Sequence, residues 1–187
     1  MRTSEIQGSL LLANATALLI GAWATFGVAA LPAEERASAA AHPLALEEWH
    51  DACDGGDFVA CNDLGVAYQH GYGADADSDL ALDLFGRACR TGHAEACSNR
   101  GAMLEQSWQR GQDIAPIRDA YTRACDGGSG LGCSNLGALY ALGKGVPSHA
   151  ATARWYFDRA CQLGSPIGCE NQALLSERAA RRAASKR

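Results

Sequence analysis

From about residue 44 the chain sets short apolar stripes against glycine-marked breaks. Between Asp77 and Thr91, Leu80, Ala81, Leu84, Phe85 and Ala88 recur at spacings of three and four, which gathers them on one face of a helix. Asp77 suits the amino cap of that helix and Gly92 its carboxyl-side stop. A second helix is expected to begin near His93. Its counterparts Asp57, Ser129 and Ser165 are capping residue types, and Pro166 follows where a first turn tolerates proline. Gly71 and Gly73, or Gly143 and Gly145, then break the chain before the next helix. No strand-like alternation interrupts the pattern. An all-α fold of helix-turn-helix units follows.

The units repeat. Trp49, Phe85, Tyr121 and Phe157 stand 36 residues apart, as do Ala52, Ala88, Ala124 and Ala160, and Gly56, Gly92, Gly128 and Gly164. A solenoid of about four repeats over residues 41–176 is therefore expected, opening on a half unit at Leu44 to Asp54. Cysteines keep the same period at Cys53 and Cys61, Cys89 and Cys97, Cys125 and Cys133, and Cys161 and Cys169, each pair with seven intervening residues. The first of each pair falls in the last turn of one helix and the second in the first turn of the next. Uniform spacing favours four local disulfides over any long-range scheme. Zinc is the competing reading, but paired zinc ligands usually stand two to four residues apart and converge four at a time.

Composition narrows the class. The 187 residues are 48% hydrophobic and 20% charged, with a formal net charge of -5, so a nucleic-acid partner is not expected. Residues 1–40 read as an export signal or a membrane anchor. The stretch from Leu10 to Ala30 carries no charged side chain, and Ala37-Ser38-Ala39 is a candidate cleavage triplet. No cysteine precedes Cys53, which argues against lipid attachment at the cleavage point. Residues 177–187 form a basic helix end with Arg178, Arg181, Arg182, Lys186 and Arg187, suited to solvent or to an anionic envelope surface. The localisation expected is periplasmic or secreted.

Leu136-Gly137-Ala138-Leu139-Tyr140, then Gly143-Lys144-Gly145-Val146, then Ala153 and Phe157 to Cys161, resemble the Sel-one-like repeat, a relative of the tetratricopeptide repeat. With a cysteine pair in every unit, the stretch from Leu44 to Leu175 resembles the Helicobacter cysteine-rich protein family. That resemblance implies an exported right-handed α/α solenoid acting as a protein or peptide binding scaffold. It also implies an alternative, since the family is labelled with penicillin binding and β-lactamase activity. The chain departs from the pattern at Arg100-Gly101 and Gln172-Ala173, where other units have Leu-Gly. It departs again at Ser107 to Gly111, where the Gly-x-Gly turn is missing. The last unit reads as a polar cap.

Candidate chemistry is sparse. Serine β-lactamase catalysis uses Ser-x-x-Lys with Ser-x-Asn and Lys-Thr-Gly elements, and none occurs here. The two lysines are Lys144 and Lys186, and the five histidines show no zinc-binding spacing. Asp75, Asp77 and Asp79 alternate like calcium-loop acids, but Leu80 and Gly86 occupy the glycine and glutamate places of such a loop. No catalytic residue, cofactor or metal is expected. The concave face of a helical stack is an extended binding surface, so the candidate binding residues are Asp63, Asn99, Asn135 and Asn171, one per repeat in the first helix. The resemblance to tetratricopeptide-like repeats implies bonding to a bound peptide's backbone; the alternative is bonding to a neighbouring repeat. Trp108 in the irregular turn, and Trp155 where other units have Glu47, Asp83 and Asp119, are further candidate contacts. A monomer with a protein or peptide ligand in its groove is expected.

Overall fold

The computed structural model describes residues 43–184. The expected export segment therefore lies outside the described residues, as do Lys186 and Arg187 of the basic end. Among the described residues eight helices follow one another: α1 (Pro43–Asp54), α2 (Phe58–His70), α3 (Ser78–Arg90), α4 (Ala94–Ser107), α5 (Ala115–Asp126), α6 (Gly130–Leu142), α7 (Ala150–Gln162) and α8 (Pro166–Ala184). No strand occurs among the described residues. Each helix packs on its chain neighbours. In addition α4 packs on α6 and α6 on α8, so the first helices of successive hairpins lie side by side as in a solenoid.

Helix starts follow the capping residues. Asp57 accepts from the Val59 and Ala60 amides, Asp77 from Asp79 and Leu80, His93 from Ala96, and Ser129 from Gly132. Ser165 accepts from the Gly168 amide at 3.2 Å, and Pro166 opens α8. His149, two 36-residue periods after Asp77, caps α7 in the same way through Nδ1, a role its residue type did not announce. Gly71 and Gly143 end α2 and α6 in the left-handed conformation. The second unit differs as its sequence suggests: α4 ends on an extended Trp108, and α5 starts without a side-chain cap from Ile114.

Within each hairpin an aromatic ring from the second helix lies on a glycine of the first. A Cβ at Gly65 would stand 2.8 Å from the Phe85 ring, one at Gly101 2.5 Å from Tyr121, and one at Gly137 2.8 Å from Phe157. The period-36 aromatics are therefore buried keystones, and the Leu-Gly and Arg-Gly pairs supply the hollow beneath them. Around the first two rings and their hairpins lie two apolar clusters. One holds Leu46, Trp49, Leu64, Leu84 and Phe85, and the other Ile114, Ile117, Tyr121, Leu136 and Leu139.

Disulfides close the opposite turns. Cys53–Cys61, Cys89–Cys97, Cys125–Cys133 and Cys161–Cys169 join α1 to α2, α3 to α4, α5 to α6 and α7 to α8, with Cα–Cα distances of 4.5 to 4.7 Å. Each bridge ties the end of one hairpin to the start of the next. Between the cysteines, Gly56, Gly92, Gly128 and Gly164 hold φ between 82° and 97°, where a side chain would be strained. Sequence separation is 8 in every case, so the chain-entropy contribution is about 2.5 kcal/mol per bridge.

Candidate functional site

The opening turns of α4, α6 and α8 and the middle and end of α2 meet on one shared face. There a groove of about 900 Å³ runs from Trp49 on α1 to Ile167 on α8. Its lining comes from α2, from the start of α4, and from the glycine turns that lead into α6 and α8. Residues that the caps hold in place thus become the walls.

The floor is a ladder of polar contacts between repeats. Asn99 Nδ2 donates to Asn62 Oδ1 at 3.0 Å, tying α4 to α2. The hydroxyls of Ser98 and Ser129 meet at 2.9 Å, and those of Ser134 and Ser165 at 3.1 Å. Ser129 and Ser165 also cap their own helices, so each serine serves two bonds at once. Asn62, Ser98 and Ser134 are buried and occupy one period-36 position. Sequence reasoning passed over that row; small polar residues recurring on a helix face that must pack were its available signal. Burying such groups is tolerable only because they are paired.

The sequence-chosen binding residues scatter. Asp63 and Asn99 line the groove, Asp63 being 7% exposed, with Asn62 Nδ2 donating to its Oδ1 at 3.4 Å. Asn135 and Asn171 sit half-buried on α6 and α8 and are not among the described residues lining the groove. Trp108 is half-buried against the Ile114 and Tyr121 cluster, and its Nε1 donates to the Gln112 carbonyl at 3.2 Å. It lines a second cavity, of about 660 Å³, together with Lys144 and Arg110. Trp155 is 54% exposed on α7, edge-on to Tyr156, with the Arg159 guanidinium 5.7 Å from its ring. It does not line the groove among the described residues.

Groups with acid–base character are engaged structurally. Lys144 Nζ pairs with Glu105 Oε1 at 2.7 Å and stands 5.6 Å from the Trp108 ring. Tyr121 donates to Glu105 Oε2 at 2.6 Å. Burial, then the bond to Glu105 and its charge, raise the Tyr121 hydroxyl far above the ordinary tyrosine value. Tyr156 is also raised, by burial first and then by Tyr140 and Asp126, against the opposing pull of Arg159. Among the described residues, no three histidine, cysteine or acidic side chains converge as a metal site.

Residues 59–93 and 130–165 match the model of the Sel1 repeat. These are the two hairpins that keep both the Leu-Gly pair and the Gly-x-Gly turn. A Sel1 repeat protein from Oxalobacter formigenes superposes with a TM-score of 0.63 at 26% identity, covering 72% of this chain and 54% of that one. A protective antigen of uropathogenic Escherichia coli displaying an SLR fold gives 0.60 at 28% identity, covering 66% of this chain and 26% of that one. The chain thus spans about half of the first relative and a quarter of the second. Helicobacter pylori cysteine rich protein B shares the fold, with a TM-score of 0.53 at 24% identity, covering 67% of this chain and 90% of that one. No curated protein matches the sequence. Two of its hairpins thus match the Sel1 repeat, and the disulfide-stapled helical array as a whole is similar to solved Sel1-repeat proteins.

Proposed function

We propose that the chain is an exported binding scaffold that holds a peptide or a protein segment in its groove. The supporting observation is the groove itself: a long concavity on a rigid frame, with Leu131 45% and Ile167 52% exposed on its walls. Apolar side chains left in solvent on a concave face cost the free chain nothing that a ligand would not recover by covering them. Stacked helical hairpins commonly present such surfaces to partners. Asp63 and Asn99 would meet the ligand where they line the groove. Trp155 would serve a separate contact.

Four disulfides support an oxidising compartment, and hence export through residues 1–40. Among the described residues no helix is long and apolar enough to cross a membrane. Binding is favoured over β-lactam hydrolysis because Lys144, the one lysine within the repeats, is spent on Glu105. A photoreactive side chain at Leu131 would test the reading. Crosslinks to a peptide or protein in the exported fraction would support it. Crosslinks that do not depend on Ile167, or none at all, would count against it.

A further inference from the structure

The four bridges are alike in sequence separation and unlike in cover. Both cysteines of each of the first three bridges are at most 4% exposed, whereas Cys161 and Cys169 are both only half-buried. The hairpin that follows supplies the cover. Ala88 packs in the cluster that holds Cys53 and Cys61, Ala124 on Cys89 and Cys97, and Ala160 on Cys125 and Cys133, one alanine per period. Arg87 and Arg159 add a guanidinium donating to the Cys53 and Cys125 carbonyls, each at 3.4 Å. Behind Cys161–Cys169 no further helix follows α8 among the described residues, so this cover is missing there.

We propose that Cys161–Cys169 is a thiol-exchange site, open to a dithiol reductant while the array stays folded, and that its reduction frees the groove wall from Leu163 to Ile167. Access decides which bridge reacts, because a thiolate must reach a bridge sulfur to attack it. One thiolate of the dithiol attacks; the Cys161–Cys169 bond breaks as a mixed disulfide forms, and the other cysteine leaves as a thiolate. The dithiol's second thiolate then displaces the first cysteine. The dithiol ends as a disulfide, two electrons have passed to the bridge, and the dithiol's two protons end on Cys161 and Cys169. The loop so opened contributes five consecutive residues, 163 to 167, to the groove lining. The third bridge closes the equivalent stretch one repeat earlier, 127 to 131, but under cover. Helix α8 packs on α6 and α7 and has no second helix of its own hairpin, and Gln172-Ala173 stand where Leu-Gly seats a ring in other units. A cross-link therefore holds more of this helix than of its counterparts. The exchange chemistry stands apart from the groove reading; only its effect on a ligand rests on it.

Graded dithiothreitol on the full oxidised chain without denaturant tests the site, with iodoacetamide trapping and peptide mapping to read each pair. Cys161 and Cys169 should be alkylated about tenfold or more faster than the other six cysteines, whose bridges wait for local opening. Loss of all four bridges together, or earlier loss of another, would overturn the site. Amide hydrogen exchange tests the wall. In Cys161→Ser/Cys169→Ser, exchange should quicken about tenfold or more across residues 163–175 and stay at the wild-type rate in α2 to α5, which also confirms the fold. Should that variant not fold, wild type alkylated at the fourth pair alone gives the same readout. Unchanged exchange across 163–175 would overturn the hold on the wall. Neither readout needs a ligand, so failed capture through Leu131 would count against the groove reading and leave both results standing.

Discussion

The Tyr121 hydroxyl donates to Glu105 across the second hairpin at 2.6 Å, beneath a ring that already fills the hollow over Gly101. Lys144, from the turn after α6, takes the other carboxylate oxygen at 2.7 Å. One carboxylate thus joins α4, α5 and the next hairpin, at the unit where the Gly-x-Gly turn is missing. Removing the hydroxyl in Tyr121→Phe should cost about 1.5 kcal/mol in urea unfolding, the low end for a bond to a charged group, because Glu105 retains Lys144. The sign with pH follows from the raised hydroxyl. Its neutral form is favoured in the fold, so its contribution is complete below the ordinary tyrosine value near 10 and fades as pH climbs above it. Wild type should lose stability above that pH more steeply than Tyr121→Phe. Parallel alkaline curves would contradict the assignment.

Glycine substitutions separate hollow from helix. At Gly101 a methyl would meet the Tyr121 ring at 2.5 Å, and overpacking of that kind costs about 1 to 3 kcal/mol. At Gly86 the nearest atom is Arg100 Nε at 3.4 Å, an ordinary contact with a flexible side chain. Alanine there should gain up to about 1 kcal/mol from helix propensity alone. Thermal melting of Gly101→Ala and Gly86→Ala should therefore move in opposite directions.

Equal loop lengths make a prediction about the bridges. Replacing Cys53 and Cys61, or Cys125 and Cys133, by alanine should cost about 2.5 kcal/mol in each case, since both close the same sequence separation of 8. Non-reducing peptide mapping should recover the four local pairs. A markedly larger loss for one pair would show that the bridge also maintains packing between its helices.

The repeat period carried most of the fold because one spacing controls caps, keystone rings and cysteines together. Asp57, Asp77, Ser129 and Ser165 cap as their residue types demand. His149 escaped notice because a histidine cap has no strong sequence signature. The groove was harder to foresee. The period says which residues are equivalent, but not which turns lean toward the concave face, because that depends on helix crossing angles. Half of its wall comes from glycine turns and from Leu131, Leu163 and Ile167, none of them in the Asp63 row. That row was chosen for its chemistry, and Asn135 and Asn171 share its spacing without sharing the groove.

Asn99 decides between the two roles open to that row. Its amide donates to Asn62 Oδ1, whose residue is 5% exposed, so Asn99→Ala leaves a buried acceptor short of a partner and should cost about 1 to 3 kcal/mol of stability. The loss belongs to the pair. In a double-mutant cycle with Asn62→Ala the two single costs should exceed the cost of the double change, by a coupling of about 1 kcal/mol. Asn99 also lines the groove, so the same variant should be measured for binding of the partner captured through Leu131, under conditions where it remains folded. If Asn99 serves only the ladder, coupling appears and affinity per folded molecule stays at the wild-type value. If it also grips the ligand's backbone, affinity falls by a further tenfold, about 1.4 kcal/mol, a loss that Asn62→Ala reproduces only as far as it displaces the Asn99 amide. Asn135→Ala, on the same register but away from the described groove lining, is the reference. An equal loss of affinity there would move the peptide's path onto α6.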